Sequence, residues 1–174
     1  MLTLTKKTFD DIEYTTLERL YNEAFPYLSA ERQRVGDVEL KKALIDEIGQ
    51  RPMIQYEIDG YTVGIACYMH VSYQNKLYMW HRHPLYGNDL NGSRAWWFSE
   101  EFQLKSAEYV RDNGYSGIIT FMNPSSPAAQ AVIRHFGIFN AHFKPPVSIE
   151  PSLLSPDLSS SESKLSAIMI DLYE

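Results

Sequence analysis

The order of apolar segments along this 174-residue chain predicts an α+β fold with a mixed, mostly antiparallel central sheet of about seven strands, flanked by helices on both faces. Two apolar runs surround Asp59-Gly60, a dipeptide typical of a two-residue hairpin, and a third run follows closely. A helical stretch then separates that run from another short apolar strand, which is the connection that parallel neighbours require. The length predicts a single domain over residues 1–174.

The N-terminal third predicts one strand and two helices. Residues 2–6 alternate in polarity, which is typical of a strand. The first helix should end near Pro26, because proline interrupts the helical hydrogen-bond ladder. The second fits residues 37–49, which begin with a capping aspartate and end with a glycine. The apolar residues at helical spacing in the first helix are Leu17, Leu20, Tyr21, Ala24 and Leu28.

The middle of the chain completes a three-stranded meander and starts the crossover. The third strand of the meander fits residues 76–83. A polar loop at 87–92 follows, and a helix is predicted from Ser93 to about Asn113, with Gly114 at its end. Residues 116–122 form the next buried strand.

The C-terminal third predicts a short helix and two closing strands. Ser126 can cap the helix, and Gly137 can end it. A strand is predicted in residues 138–146, followed by a long Ser/Pro-rich loop at 147–163. The final apolar run, 164–173, is typical of a strand that returns to the sheet.

Composition excludes several classes of protein. The formal net charge of −6 argues against a general nucleic-acid binder. The one cysteine, Cys67, cannot form an internal disulfide, and no Cys/His set has zinc spacing. The first residues lack a hydrophobic signal region, and no apolar run reaches the ~18 residues of a membrane span. We therefore expect a cytoplasmic protein without a structural metal.

Aromatic residues make up 13% of the chain, with 12 Tyr and 3 Trp. They fit either a Tyr-rich core or a surface that binds a partner protein or a second copy of the chain.

The segment "NPSSPAAQAVIRHFG", residues 123–137, follows directly on the strand at 116–122. With the order of elements, it resembles the GCN5-related N-acetyltransferase fold over nearly the whole chain. The segment is similar to that family's Asn-x-x-(Ser/Ala)-x-x-Ala…Gly-Phe pattern, with Gly137-Ile138 in place of Gly-Phe. The sequence looks like a divergent member, similar to proteins encoded in tailed-phage genomes, which implies a bacterial or phage-infected cell.

The resemblance implies acetyl-CoA as cofactor. In the family the fourth and fifth strands splay apart, and the pantetheine arm lies in the gap. Asn123 would then bond the amides of the arm, and Ser125 and Ser126 would cap the helix that faces the same cleft. The alternative is that all three residues only form turns and caps.

The family's pyrophosphate loop, Gln/Arg-x-x-Gly-x-Gly/Ala, corresponds here to "HPLYGNDLNGSRAWW", residues 83–97, in which the glycine spacing is wrong. Gly92, Ser93 and Arg94 are the candidates for phosphate binding at the predicted start of the long helix. Asp89 would oppose a phosphate. The alternative is a plain helix-entry loop.

The catalytic residues are harder to assign. Many family members carry a tyrosine that acts as general acid at the position of Ile133. Isoleucine cannot transfer a proton, and Tyr109 and Tyr115 lie elsewhere in the sequence. The candidate general bases are His81 and His83, two residues apart in one strand, and Glu57 in the preceding meander. Alternatively, the two histidines only form the polar face of a strand. They could also bind a metal, but the sequence shows no third ligand beside them.

Three functions remain open. The first is transfer of an acyl group from acyl-CoA to an amine of a small molecule or protein, by direct attack in a ternary complex. The second is a catalytically inactive protein of this fold with a binding, structural or assembly role, including one in a phage virion. The third is a phage-type modifier of DNA bases, disfavoured by the acidic charge, with Trp96 or Trp97 stacking a base. Its groove would need Arg82, Arg94, Arg111 and Arg134.

Overall fold

The computed structural model describes residues 1–27, 52–97, 99–122, 127–138, 141–150, 154 and 166–173. The helix predicted at 37–49, the cap at Ser126 and most of the loop predicted at 147–163 lie outside these residues.

The described strands form one seven-stranded sheet in the order β1-β2-β3-β4-β5-β7-β6. The ladders β1–β2, β2–β3, β5–β7 and β6–β7 are antiparallel, and β4 and β5 are parallel. The prediction of a mixed, mostly antiparallel sheet of about seven strands is therefore confirmed. The strands are β1 Leu2–Lys7, β2 Met53–Ile58, β3 Tyr61–Tyr73, β4 Lys76–Tyr86, β5 Gly117–Met122, β6 Val147–Ile149 and β7 Ser166–Asp171.

The chain forms two compact units. The described residues of the first unit fall within 1–68 and 83–97, and those of the second fall within 69–82 and 98–174. The single domain expected from the chain length stays a prediction.

In the first unit, helix α1 (Tyr14–Ala24) supplies four of the eight buried residues of one apolar cluster. It ends just before Pro26, as predicted, and a short 3₁₀ turn, Phe25–Tyr27, follows. The helical spacing of Leu17, Leu20, Tyr21 and Ala24 is confirmed, because this stripe of α1 packs against the sheet, whereas Leu28 lies outside the described residues. This cluster comprises Leu17, Leu20, Tyr21, Ala24, Met53, Ile65, Cys67 and Leu85.

Two-residue turns close both hairpins of the meander. Asp59 and Gly60 have φ values of 50° and 84°, and Gln74 and Asn75 have 49° and 62°. Positive φ at both central residues matches the right-handed twist of the flanking strands. The hairpin predicted at Asp59-Gly60 is therefore confirmed.

In the second unit, β4, α2 (Glu100–Asp112) and β5 form the predicted parallel crossover. The register runs from Tyr78 opposite Gly117 to His81 opposite Thr120. A Cβ atom on Gly117 would lie 2.3 Å from the Ile170 carbonyl oxygen of β7, so only glycine fits there.

The start of α2 corrects a prediction. A helix was expected from Ser93, but residues 93–97 lie outside it and α2 begins at Glu100. The Oγ atom of Ser99 accepts the N–H of Phe102 at 3.1 Å, so Ser99 is the cap. The predicted end is confirmed, since Asn113 caps the helix and Gly114 has a φ of 81°.

The C-terminal elements require a second correction. Helix α3 (Pro127–Ile138) runs one residue past the predicted stop at Gly137. The strand predicted at 138–146 is wrong: of its described residues, only Phe143 forms a bridge, to Leu172. The sixth strand is β6, inside the segment predicted as loop. Pro145 and Pro146 cannot donate to a ladder, so regular pairing begins after them.

No helix among the described residues is long and apolar enough to span a membrane. The same residues contain no group of three metal-ligating side chains.

Candidate functional site

The structure describes some of the predicted site residues and not others. Asn123, Ser125 and Ser126 lie outside the described residues, so their roles stay predictions. The described phosphate-site candidates, Gly92, Ser93 and Arg94, belong to the first unit, as does Glu57. His81 belongs to the second unit, and only the backbone of His83 is described.

Residues 87–97, which we call the entry loop, are organised around Asp89. One carboxylate oxygen, Oδ1, accepts the backbone N–H groups of Asn91 and Ser93, both at 2.9 Å. The N–H of Gly92 bonds to the Asp89 carbonyl at 3.0 Å, and the N–H of Asp89 bonds to the Ser93 carbonyl at 2.8 Å. Gly92 adopts a φ of 73°, which its lack of a Cβ atom allows. Asp89 thus holds the turn closed through its own side chain.

Most other backbone donors of the entry loop also bond within the chain. The Gly87 N–H donates to the Val63 carbonyl at 2.8 Å, and the Asn88 N–H lies 3.4 Å from a Glu23 carboxylate oxygen. These bonds leave the loop few amides to offer a ligand. The eight residues whose N–H groups donate within the chain are Gly87, Asn88, Asp89, Asn91, Gly92, Ser93, Ala95 and Trp97.

The guanidinium of Arg94 is held against the first unit. Its Nη1 atom donates to the Tyr86 carbonyl, and its Cζ atom lies 3.9 Å from the Tyr27 ring centroid and 5.2 Å from that of Trp97. Burial lowers the pKa of Arg94, although an arginine stays protonated at neutral pH. The cation therefore stabilises the loop through its stacking and its bond to the backbone.

Trp96 belongs to the core of the first unit. Its side chain is only 6% exposed, and its indole Nε1–H donates to the Gly87 carbonyl at 2.9 Å. Its ring packs against Tyr56 and Tyr86, with centroids 6.0 and 5.7 Å away. A buried indole cannot stack on a nucleotide base, so the base-stacking role considered for Trp96 is wrong.

The first turn of α2 carries its own negative charge. Glu100 and Glu101 follow the Ser99 cap, and both are exposed. These carboxylates complement the positive end of the helix dipole. A bound anion at this end would meet two like charges.

The entry loop does not fit the pyrophosphate of acyl-CoA. A pyrophosphate needs backbone N–H donors and positive charge. Here most of the backbone donors bond within the chain, chiefly to Asp89, Glu23 and backbone carbonyls, and the nearby guanidinium is engaged.

Among the candidate bases, His81 is the best defined. It lies in β4 opposite Thr120, and its side chain is partly buried. Burial lowers its pKa from 6.5 to about 4, so the imidazole is neutral at neutral pH. A neutral imidazole can accept a proton, but the lowered pKa makes it a weaker base.

Glu57 lies in the β2 ladder of the first unit, opposite Thr3 of β1 and Thr62 of β3, next to a register shift at Tyr56. Its side chain is partly exposed.

Tyr115 is one of the two tyrosines considered in place of the general acid that is missing at Ile133. Tyr115 lies two residues before the start of β5, whereas α3, which carries Ile133, follows the end of that strand, and six strand residues span about 20 Å. The Oη atom of Tyr115 lies 2.5 Å from Nδ1 of His70, and the two rings stack at 5.4 Å. Sequence reasoning missed this pair, because 45 positions separate the two residues along the chain.

No family model matches this sequence, and no curated protein matches it. Solved structures do match. An N-acetyltransferase from Staphylococcus aureus aligns with a TM-score of 0.52 at 13% identity, covering 100% of this chain and 97% of the other. A GNAT-family acetyltransferase from Streptococcus agalactiae aligns with a TM-score of 0.58 at 7% identity, covering 99% and 96%.

A third match is an acetyltransferase from Salmonella typhimurium that modifies the N-terminal serine of ribosomal protein L7/L12. It aligns with a TM-score of 0.51 at 15% identity, covering 99% of this chain and 96% of that one. Together these matches show that the chain has the fold of the GCN5-related N-acetyltransferases. At such low identity they show the fold alone.

Proposed function

We propose that this protein is an N-acyltransferase that transfers an acyl group from a thioester donor, acyl-CoA, to an amine. The observation that supports this function is the whole-chain match to three acetyltransferase structures. The parallel β4–β5 pair, the one parallel ladder among the described residues, lies within that match. The acceptor is an amine of a small molecule or of a protein. One of the matched acetyltransferases modifies the N-terminal serine of a ribosomal protein.

The proposed reaction is a direct displacement in a ternary complex. The amine nitrogen attacks the thioester carbonyl carbon, a C–N bond forms, the C–S bond breaks, and the thiolate leaves. The amine gives one proton to a base and the thiolate takes up one proton, so the charges balance. We assign the base to His81, which is neutral at the pH of the reaction; His83 and Glu57 are the alternatives.

The leaving thiolate finds no tyrosine at the family's position for a general acid. Ile133 occupies that position in α3, and its side chain is 44% exposed. We therefore expect the thiolate to take its proton from water.

The second candidate is a protein that keeps the fold and binds a partner without catalysis, in a structural or assembly role. The entry loop favours this candidate, because its donors are bonded within the chain and its one arginine is engaged. The partner would be another protein or a second copy of the chain.

One titration separates the two candidates. Acetyl-CoA and acetyl-pantetheine are titrated by calorimetry, and thiol release is then followed with a panel of amines that includes N-terminal peptides. Amine-dependent thiol release supports the acyltransferase. Absence of heat and of thermal stabilisation with both donors at millimolar concentration rejects it in favour of the second candidate.

The base is tested with a double variant, His81→Gln with His83→Gln. We expect turnover to fall by about 100-fold or more, the contribution of a positioned base, while donor affinity is unchanged. His142→Gln, the same substitution outside β4, is the matched control and should keep full activity. An unaltered pH–rate profile in the double variant would exclude both histidines as the base.

A further inference from the structure

We infer that Asp89 fills, with its own carboxylate, the place in the entry loop that a phosphate would take, so that the chain does not recognise the pyrophosphate of its acyl donor there. The inference rests on the proposed function, since it specifies which part of the thioester donor the protein binds. On this basis the donor is held by its acyl-pantetheine part, and its phosphates make no contribution through the entry loop.

The hydrogen bonds of Asp89 carry the inference. Its Oδ1 atom accepts two backbone N–H groups, of Asn91 and Ser93, at 2.9 Å each. Convergence of neighbouring backbone N–H groups on an anionic oxygen is also how a backbone concavity binds a phosphate. Bonds to an ionised acceptor are about twice as strong as neutral ones. An incoming phosphate would have to displace a covalently attached competitor.

The charged groups around Asp89 also disfavour binding of a phosphate. A Glu23 carboxylate oxygen lies 3.4 Å from the Asn88 N–H, and Glu23 is in turn paired with Arg19 at 2.9 Å. Arg94 donates to the Tyr86 carbonyl and stacks on Tyr27. The loop therefore holds two carboxylates at its backbone donors, while both nearby guanidinium groups are engaged.

The test measures anion binding with and without the Asp89 carboxylate. Asp89→Ala frees the two amides, and Asp89→Asn keeps an acceptor oxygen but removes the charge. Asp112→Asn, at an exposed position at the end of α2, removes the same charge elsewhere and is the matched control. The probe is inorganic pyrophosphate, and the readout is the backbone amide resonances of Asn91 and Ser93.

We expect these two resonances to stay in place in the wild type and in Asp112→Asn, and to move in Asp89→Ala. The gain in pyrophosphate affinity should be about tenfold or more, the equivalent of the charge-assisted bonds that no longer compete. The pyrophosphate affinity of Asp89→Asn should lie between those of the wild type and Asp89→Ala. If Asp89→Ala does not fold, the Asp89→Asn variant provides the result. Movement of both resonances in the wild type, or equal affinity in all four proteins, would overturn the inference.

A second titration separates failure of this inference from failure of the proposed function. CoA and pantetheine should bind the wild type with the same affinity within a factor of about three, and CoA should gain about tenfold over pantetheine in Asp89→Ala. Binding of CoA about tenfold tighter than pantetheine in the wild type would overturn the inference and leave the acyltransferase in place. If neither ligand binds any variant, the proposed function fails, and the pyrophosphate result still decides the role of Asp89.

Discussion

The entry loop and the β4–α2–β5 crossover are built by different kinds of interaction. The crossover depends on buried apolar side chains and on close backbone contact at Gly117. The entry loop depends on polar groups, chiefly Asp89 and Arg94, which occupy backbone donors and acceptors. The crossover keeps the architecture of the acetyltransferase fold, whereas the loop departs from that family's phosphate-binding pattern. Apolar packing thus builds the crossover, while a few polar residues organise the entry loop.

The largest expected effect is at Gly117. Gly117→Ala places a Cβ atom 2.3 Å from the Ile170 carbonyl oxygen, so β5 and β7 must separate. We expect a loss of about 3 kcal/mol in the free energy of unfolding, the upper range for overpacking. The control is Gly114→Ala, where φ is 81° but nothing lies within 4 Å of the added atom. Urea denaturation measures both; equal losses would show that the crossover tolerates separation of these strands.

The next effect is a pH dependence at His81. Its pKa is about 4 in the folded protein and 6.5 in its ordinary state, so below pH 6.5 the unfolded chain binds a proton that the folded chain does not. The free energy of unfolding is therefore unaffected by protonation of His81 above pH 6.5. It falls as the pH drops towards 4, by at most about 3 kcal/mol.

His81→Gln should remove this part of the acid destabilisation. Denaturant titrations at several pH values between 4 and 7 compare it with the wild type and with His142→Gln. Parallel stability curves for all three proteins would show that His81 is not desolvated in the folded state.

A smaller effect is expected at Trp96, which connects the entry loop to the core. Trp96→Phe keeps most of the apolar contact but leaves the Gly87 carbonyl without its indole donor, so a loss of about 2 kcal/mol is expected. Trp97→Phe, at a partly exposed position, should cost less than about 1 kcal/mol. Thermal unfolding of the two variants makes the comparison; a greater loss at Trp97 would contradict the assignment of Trp96 to the core.

Much of the fold could be predicted because short-range chemistry specifies it. The pair Asp59-Gly60 supplies the two positive φ values of a hairpin, Gly114 supplies the positive φ of a helix end, and Pro26 follows the end of α1. The start of α2 could not be predicted, because Ser93 and Ser99 are both good caps. Only the structure shows that Ser93 is bonded to Asp89.

Less of the candidate site could be predicted. The sequence indicated that Asp89 opposes a phosphate, but not that its carboxylate bonds the backbone of its own loop. His70 and Tyr115 are far apart along the chain, and no local pattern indicates such a pair. The roles of Asn123, Ser125 and Ser126 rest on the family resemblance and remain predictions.

The buried position of Cys67 makes the protein convenient for a colorimetric assay. It is the one cysteine in the sequence. The residue is only 1% exposed and belongs to the apolar cluster that packs against α1. A thiol reagent added to the folded protein would therefore react with any thiol released from a donor before it reaches Cys67. In the absence of donor, the slow reaction of Cys67 itself measures how often the first unit opens, which gives a local stability without a denaturant.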